Sequence, residues 1–175
     1  MTGYKLFRQD KNGNLHPLFV KANEIIPIGV WLEAECGEQT DNGKVKSKLG
    51  ELAYRPGWHI NDEVPYVEHI YSMHDGKKTL KDDCVWCEVE YNEKSYQEEA
   101  NKNGINKKGI LIPKNAQLKK IPKGGYYKYK TSPNMYGTWV ISGEMKVNRI
   151  LDDEEVYKMC ENAGLTSLRR YKKAA

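Results

Sequence analysis

The sequence predicts an α+β fold in which antiparallel strands dominate and about three short helices accompany them. Short apolar segments alternate with polar residues, Gly-containing turns separate them, and few stretches show helical spacing. The chain has 175 residues, of which 39% are hydrophobic and 30% charged, a composition typical of one globular domain. We therefore predict a single domain over residues 1–165 and a basic, mobile tail over residues 166–175.

The first third of the chain is predicted to be extended. Residues 4–8 and 15–20 are apolar runs on either side of Asn12-Gly13, a pair of residues that favours a hairpin turn. Residues 25–34 continue as an extended segment interrupted by proline and glycine. Residues 37–50 are polar and glycine-rich, which indicates a long exposed loop.

The middle of the chain is predicted to hold two helices and a strand. Apolar residues at near-helical spacing predict a short helix over residues 62–71, capped by Asn61 or Asp62. Residues 84–91 alternate as a strand. A capping box that begins at Ser95 predicts a second helix, which ends near Gly104.

The C-terminal part is predicted to form strands followed by one helix. Residues 126–131, 139–142 and 145–151 have the composition of strands. Asp152 begins an acidic first turn, which predicts a third helix that ends at Gly164.

The four cysteines are expected to be free thiols. Cys84 and Cys87 have the spacing of a CxxC motif, but the surrounding residues form a strand, where positions three apart point to opposite faces. Such a pair does not suit a redox dithiol or a zinc site, so no metal is expected. The absence of a long apolar segment and of a signal peptide favours a cytoplasmic protein that does not bind membranes.

The net charge of +4 conceals a strong segregation along the chain. Residues 33–99 hold sixteen acidic and eight basic side chains, whereas residues 100–143 hold nine lysines and no acidic residue. The two segments either neutralise each other in the fold, or the second presents a functional basic face.

The sequence contains no phosphate-binding loop and no common hydrolase or zinc-protease motif. Glu88 and Glu90 share one face of the strand at 84–91, where they form either a catalytic pair or the solvent side of that strand. His59 follows Trp58 at the end of a turn. It is either a residue of a functional site or a half-buried histidine that bonds to the backbone.

The order of four short motifs resembles the ADP-ribosyltransferase fold of diphtheria-toxin-like and poly(ADP-ribose) polymerase catalytic domains. The first two motifs are YKLFR at residues 4–8 and PGWHI at residues 56–60, followed by a predicted helix that ends at Tyr71. The last two are VWCEVE at residues 85–90 and TWVISGEM at residues 138–145. The chain also resembles small proteins of bacteriophages and mobile elements, which implies action in a host cytoplasm and on host components.

The resemblance implies a split antiparallel sheet and an NAD or related nucleotide ligand. It implies that Arg8 holds the pyrophosphate, because a guanidinium binds phosphate oxygens in pairs, and that Trp58, His59 and Tyr71 surround the nicotinamide. The family places a glutamate immediately before the tryptophan of its last motif, where this chain has Thr138. The candidate catalytic residues are His59, Glu88 and Glu144. The expected function is binding of NAD or a related nucleotide, with transfer of ADP-ribose to a macromolecule as an additional activity unless the scaffold serves binding alone.

The alternative function is non-catalytic binding of nucleic acid or of an acidic host protein by the basic segment 100–143. Tyrosines interleave with its lysines, and this combination suits single-stranded nucleic acid. Alternation at residues 127–130, however, places two tyrosines on one face of a strand and two lysines on the other. The candidate partner-binding residues are Lys119, Lys120, Lys123, Lys128 and Lys130.

Overall fold

The structure, a computed structural model, describes residues 1–47, 50–52, 54–166 and 168–171. Over these residues the chain forms thirteen strands and two α-helices, which confirms the α+β class. The strands are β1 (Thr2–Gln9), β2 (Leu15–His16), β3 (Trp31–Glu33), β4 (Val45–Ser47), β5 (Gly50–Leu52), β6 (Trp58–Asn61), β7 (Ser72–His74), β8 (Lys77–Thr79), β9 (Cys84–Glu90), β10 (Lys94–Ser95), β11 (Gly125–Tyr129), β12 (Trp139–Ser142) and β13 (Glu144–Ile150). The helices are α1 (Gln97–Gly104) and α2 (Asp153–Asn162).

Nine of the described strands form one sheet. Its order is β10-β11-β12-β6-β1-β9-β13-β3, with β2 paired to β1. Only the short β10–β11 pair is parallel among these strands, so the sheet is mostly antiparallel, as predicted. The predicted hairpin at the start of the chain is confirmed, because Arg8 of β1 pairs with His16 of β2. The pairs β4–β5 and β7–β8 form two separate hairpins.

The sheet is divided along one edge of β1. Strand β9 pairs with the other edge of β1 from Thr2 to Arg8, seven of the eight residues of the strand. Strands β6 and β2 therefore share the remaining edge, where β6 pairs only at Tyr4 and β2 only at Arg8 and Gln9. Between these contacts, residues 5–7 have no partner on that edge among the described strands. Two half-sheets result, and the pair of Tyr4 with Asn61 joins them.

One apolar core lies between the two half-sheets. It includes Ile60 and Val140 from one half and Phe7, Val89 and Val147 from the other, all of them fully buried. The chain crosses between the halves at Gly143, which separates β12 from β13. A Cβ at this position would lie 2.2 Å from the carbonyl oxygen of Pro122, so glycine is required for the crossing.

The two helices cover further apolar surface. Asp152 caps α2 by accepting a bond of 2.8 Å from the backbone N–H of Glu155, and Val156 and Cys160 pack with Leu6 and Trp86. Helix α1 buries Ala100 in a third cluster, with Tyr127, Tyr129, Leu118 and Ile141. Neither described helix has the length and apolar character needed to cross a lipid bilayer.

The two cysteines of the CxxC spacing lie on opposite faces of β9, as predicted. Cys84 belongs to the cluster beneath α2, whereas Cys87 belongs to the core between the half-sheets. Both are free thiols, and burial raises the pKa of each to about 12. The period-two alternation of the strand therefore separates their sulfur atoms.

The predicted helix over residues 62–71 is wrong. These residues form a series of bends and irregular segments, and the N–H of Tyr66 bonds to the carbonyl of Val64 only two residues earlier. Pro65 lies inside the predicted range, where it disfavours helical backbone at the residue before it. The fold therefore contains two α-helices over the described residues instead of three.

Part of the predicted mobile tail is held against the domain. The Arg170 guanidinium donates to the carbonyl oxygens of Lys81, Asp82 and Cys84 and to both carboxylate oxygens of Asp153. The segment is therefore docked by hydrogen bonds of Arg170 and of the Arg169 carbonyl, which accepts from the Leu80 N–H. Residues 167 and 172–175 lie outside the described residues.

Candidate functional site

A cavity of about 690 Å³ opens where the half-sheets part. Its walls include the adjacent residues Lys5 and Leu6 of β1, and the adjacent residues Trp58 and His59 of β6. Adjacent side chains leave opposite faces of a strand, so a cavity that contacts both must lie at the strand's open edge. The unpaired edge of β1 thus creates the cavity, and the segments around residues 17–26 and 32–37 enclose it.

Lys5 extends from that open edge into the cavity. Its ammonium donates a bond of 2.7 Å to the carbonyl oxygen of His59 and lies 5.8 Å from the centre of the Phe7 ring. No carboxylate of the described residues forms an ion pair with it. Burial without a counter-charge lowers the pKa of Lys5 to about 8, so the amine still carries its proton at neutral pH.

Arg55 supplies a second cation to the same cavity. Its Nη1 donates a bond of 2.6 Å to the Tyr129 hydroxyl, and the guanidinium lies 5.1 Å from the centre of that ring. Its Nε is buried and has no hydrogen-bond partner among the described residues. Like Lys5, Arg55 forms no ion pair with a carboxylate of the described residues.

His59 lines the same cavity and is neutral. Burial, together with the positive charges of Lys5 and Arg55, lowers its pKa to about 3, although a bond to Gly57 acts in the opposite direction. Nδ1 lies 3.2 Å from the carbonyl oxygen of Gly57, so the neutral ring carries its proton on Nδ1. Nε2 is then a hydrogen-bond acceptor, and the ring meets Trp139 edge-on at 6.0 Å.

Two features of residues 57 and 58 hold this arrangement in place. Gly57 has a φ of 138°, and a Cβ there would lie 2.5 Å from Ile141. The following residue, Trp58, donates its indole N–H to the carbonyl oxygen of Leu32 at 3.0 Å. This bond links β6 of one half-sheet to β3 at the edge of the other, across the cavity.

The structure brings some of the predicted nucleotide-binding residues together and separates others. Trp58 and His59 line the cavity. Arg8 and Tyr71 are not among the described residues that line it. The Arg8 guanidinium donates to the carbonyl oxygen of Ala22 at 2.8 Å, and the Tyr71 ring packs against the Lys78 ammonium at 4.5 Å.

The predicted catalytic carboxylates also lie elsewhere. Glu88 shares the side-chain amide of Asn148 with Glu90, each at 3.1 Å, which confirms that the two carboxylates lie on one face of β9. Glu144 accepts a bond of 2.7 Å from Asn92. Neither Glu88 nor Glu144 is among the described residues of the cavity wall.

Thr138, which immediately precedes Trp139, is bonded to the carboxylate of Asp62. Its backbone N–H and its hydroxyl donate to the two oxygens of Asp62, at 2.9 and 2.5 Å. The carboxylates that do line the cavity are Glu24, Glu33 and Glu35. Lys21 forms ion pairs with Glu24 and Glu35.

The basic segment 100–143 is partly neutralised by the acidic segment before it. Lys102 pairs with Glu98, Lys120 with Glu99 and Lys128 with Asp62. Lys130 is half-buried and donates to the carbonyl oxygen of Met135, whereas Lys119 and Lys123 are exposed. Tyr127 and Tyr129 are buried in the core, so they cannot stack on bases.

The sequence-based interpretation missed Lys5 and Arg55. One signal was available for Lys5, because it shares a strand face with Phe7, and a charged residue on an apolar face is unusual. Arg55 directly precedes the PGWHI motif, but no local pattern distinguishes it from a surface arginine.

Comparison of the chain with protein-family models, with curated proteins and with solved structures found no match.

Proposed function

We propose that the protein binds NAD or a related nucleotide in the cavity between the half-sheets. The observation that carries this proposal is the combination, in one cavity, of aromatic walls with two cations that lack carboxylate partners among the described residues. The flat rings of a nucleotide would stack on the aromatic walls, and its phosphate oxygens would bind the two cations.

The size and polarity of the cavity support this ligand class. Its volume of about 690 Å³ falls within the range of small-molecule sites. Trp58 and Trp139 supply flat apolar surfaces, whereas the exposed carboxylates of Glu24, Glu33 and Glu35 belong to the enclosing segments. The cavity therefore offers cationic, aromatic and acidic surfaces to a ligand that has phosphate, ring and hydroxyl groups.

Transfer of ADP-ribose would be a second step at the same site. The bond between the ribose and nicotinamide breaks, nicotinamide leaves, and an acceptor nucleophile adds to the ribose carbon and loses its proton. A carboxylate near the ribose stabilises the cationic character of that transition state. Among the described carboxylates of the cavity, Glu33 alone has no ion pair, so it replaces Glu88 and Glu144 as the residue to test.

Isothermal titration calorimetry with NAD, ADP-ribose and ATP tests the binding proposal. We expect micromolar to millimolar affinity for at least one of them, and a loss of at least tenfold for Trp58→Leu, which removes one wall. Trp31→Leu is the matched control, because Trp31 is exposed on β3 and outside the cavity wall. An absence of heat with all three nucleotides would refute the proposal. Release of nicotinamide from NAD by the wild type, and its loss in Glu33→Gln, would support the proposed transfer step.

A second candidate function is the binding of nucleic acid or an acidic host protein by the basic segment. The observation that favours it is a set of five exposed lysines without ion pairs among the described residues, namely Lys107, Lys108, Lys114, Lys119 and Lys123. Binding by these lysines would weaken steeply with salt and fall in Lys119→Glu/Lys123→Glu. A gel shift that this double variant leaves unchanged would contradict it.

A further inference from the structure

The two cations of the cavity differ from the other charged groups around it. Lys21 is neutralised by Glu24 and Glu35, whereas Lys5 and Arg55 have no carboxylate partner in the described parts of the chain. No acidic group contributes to the pKa of Lys5 or of His59. Neither Lys5 nor Arg55 is therefore neutralised by a described carboxylate of the cavity.

Lys5 and Arg55 line the same cavity as His59. The Lys5 ammonium bonds to the backbone of His59, and the charges of both Lys5 and Arg55 act on the His59 ring. Burial of a charge without a counter-ion loses hydration, so holding both cations in the cavity costs free energy in the absence of an anion. The buried Nε of Arg55 adds a donor without an acceptor among the described residues.

We propose that Lys5 and Arg55 together form a phosphate subsite that selects phosphorylated nucleotides over nucleosides. The inference rests on the proposed function for the identity of the ligand, but the subsite itself is defined by the two cations. Arg55 offers phosphate oxygens the guanidinium N–H groups that Tyr129 does not accept, and Lys5 adds a charge with donors not used by His59. An anion bound there supplies the counter-charge that both cations lack among the described residues.

His59 fixes the orientation of the ligand beside this subsite. Its ring is neutral and its Nδ1 proton is directed to Gly57, so Nε2 accepts a hydrogen bond. The ionised diphosphate oxygens of NAD or ADP-ribose carry no proton to donate, whereas a ribose hydroxyl does. The subsite therefore suits a phosphate group that lies next to a sugar hydroxyl, as in nucleoside phosphates and ADP-ribose.

In this proposal Lys5 and Arg55 bind the phosphate, and Arg8 does not. The Arg8 guanidinium is bonded to Ala22, and Arg8 does not line the cavity in the described part of the chain. Arg55 and Lys5 come from different half-sheets, since Lys5 belongs to β1 and Arg55 precedes β6. A phosphate held by both would bridge the split where the sheet lacks hydrogen bonds.

Calorimetry with inorganic pyrophosphate, NAD, ADP-ribose and adenosine tests the subsite in the full chain. We expect pyrophosphate to bind and adenosine to bind at least tenfold more weakly than ADP-ribose. Lys5→Met and Arg55→Met should each reduce affinity for pyrophosphate and ADP-ribose at least tenfold, because each removes a charged hydrogen-bond donor. Lys158→Met is the matched control, since Lys158 is exposed on α2 and outside the cavity wall. Thermal denaturation establishes that each variant is folded, and Arg55→Lys provides a milder second change.

The outcomes separate this inference from the proposed function. Nucleotide binding that neither variant weakens would overturn the subsite and leave the nucleotide proposal intact. Pyrophosphate binding that both variants weaken, without binding of any nucleotide, would support the subsite and refute the nucleotide proposal. An absence of pyrophosphate binding together with equal affinities for adenosine and ADP-ribose would overturn the subsite.

Discussion

At the scale of single residues, the feature that distinguishes this protein is an amine placed on an apolar strand face. Lys5 shares its face of β1 with Phe7, and its ammonium bonds only to a backbone carbonyl among the described partners. Burial of a charge without a counter-charge is unfavourable and shifts protonation towards the neutral form. A side chain that costs stability in this way is typical of a functional site.

The pH dependence of stability tests the burial of Lys5. Its pKa is about 8 in the folded protein and about 10.5 in an unfolded chain. Between these values the unfolded chain binds more protons, so Lys5 makes stability rise with pH. Urea denaturation of the wild type and of Lys5→Met at pH 7, 8, 9 and 10 measures this effect. We expect the stability of the wild type relative to the variant to increase from pH 8 to pH 10.

The same comparison removes the contribution of the buried tyrosines. Burial raises the pKa of Tyr91 and Tyr127 to about 12, so both destabilise the fold at high pH. These residues are present in both proteins, and their effect cancels in the difference. A difference that stays constant over the whole range would show that Lys5 is hydrated in the folded protein.

At the scale of the elements, local rules explain the helix that forms and the helix that does not. Helix α2 has an N-cap aspartate, an acidic first turn and an apolar face, and it forms as predicted. Residues 62–71 have apolar spacing too, but Pro65 prevents a continuous helix. Periodicity alone therefore overestimates the helix content.

The contribution of the α2 N-cap, Asp152, to the free energy of unfolding can be measured. Asp152→Ala removes the acceptor for the backbone N–H of Glu155, and we expect a loss of about 1 kcal/mol in the free energy of unfolding. Asp82→Ala is a suitable control, because Asp82 is exposed and uses only its backbone carbonyl in the contact with Arg170. Urea denaturation measures both. Equal stability of the two variants would contradict a role for this cap.

At the scale of the whole molecule, contacts far apart in sequence join the parts of the domain. Arg170 links the C-terminal segment to residues 81–84 and to α2. The pair of Tyr4 with Asn61, the crossing at Gly143 and the bond from Trp58 to Leu32 link the half-sheets. These links define the shape of the cavity.

Arg170 offers a test of this long-range organisation. We expect Arg170→Met to lower the free energy of unfolding by about 2 kcal/mol, because several charged hydrogen bonds are lost at once. Arg169→Met should have a much smaller effect, since Arg169 is exposed and pairs with Glu161 at the surface. Thermal and urea denaturation compare the two. Similar losses for both variants would mean that the segment around them contributes no specific docking.

The sequence by itself determined the α+β class, most strands, two helices and the separation of Cys84 from Cys87. Each of these depends on the period of a single element or on a local turn or cap, which neighbouring residues specify. The cavity could not be predicted in this way, because it arises where β1 lacks a partner at residues 5–7. Only the tertiary structure brought Lys5 to His59, since the pairing of Tyr4 with Asn61 over a long sequence separation places β1 beside β6, where Arg55 lines the same cavity.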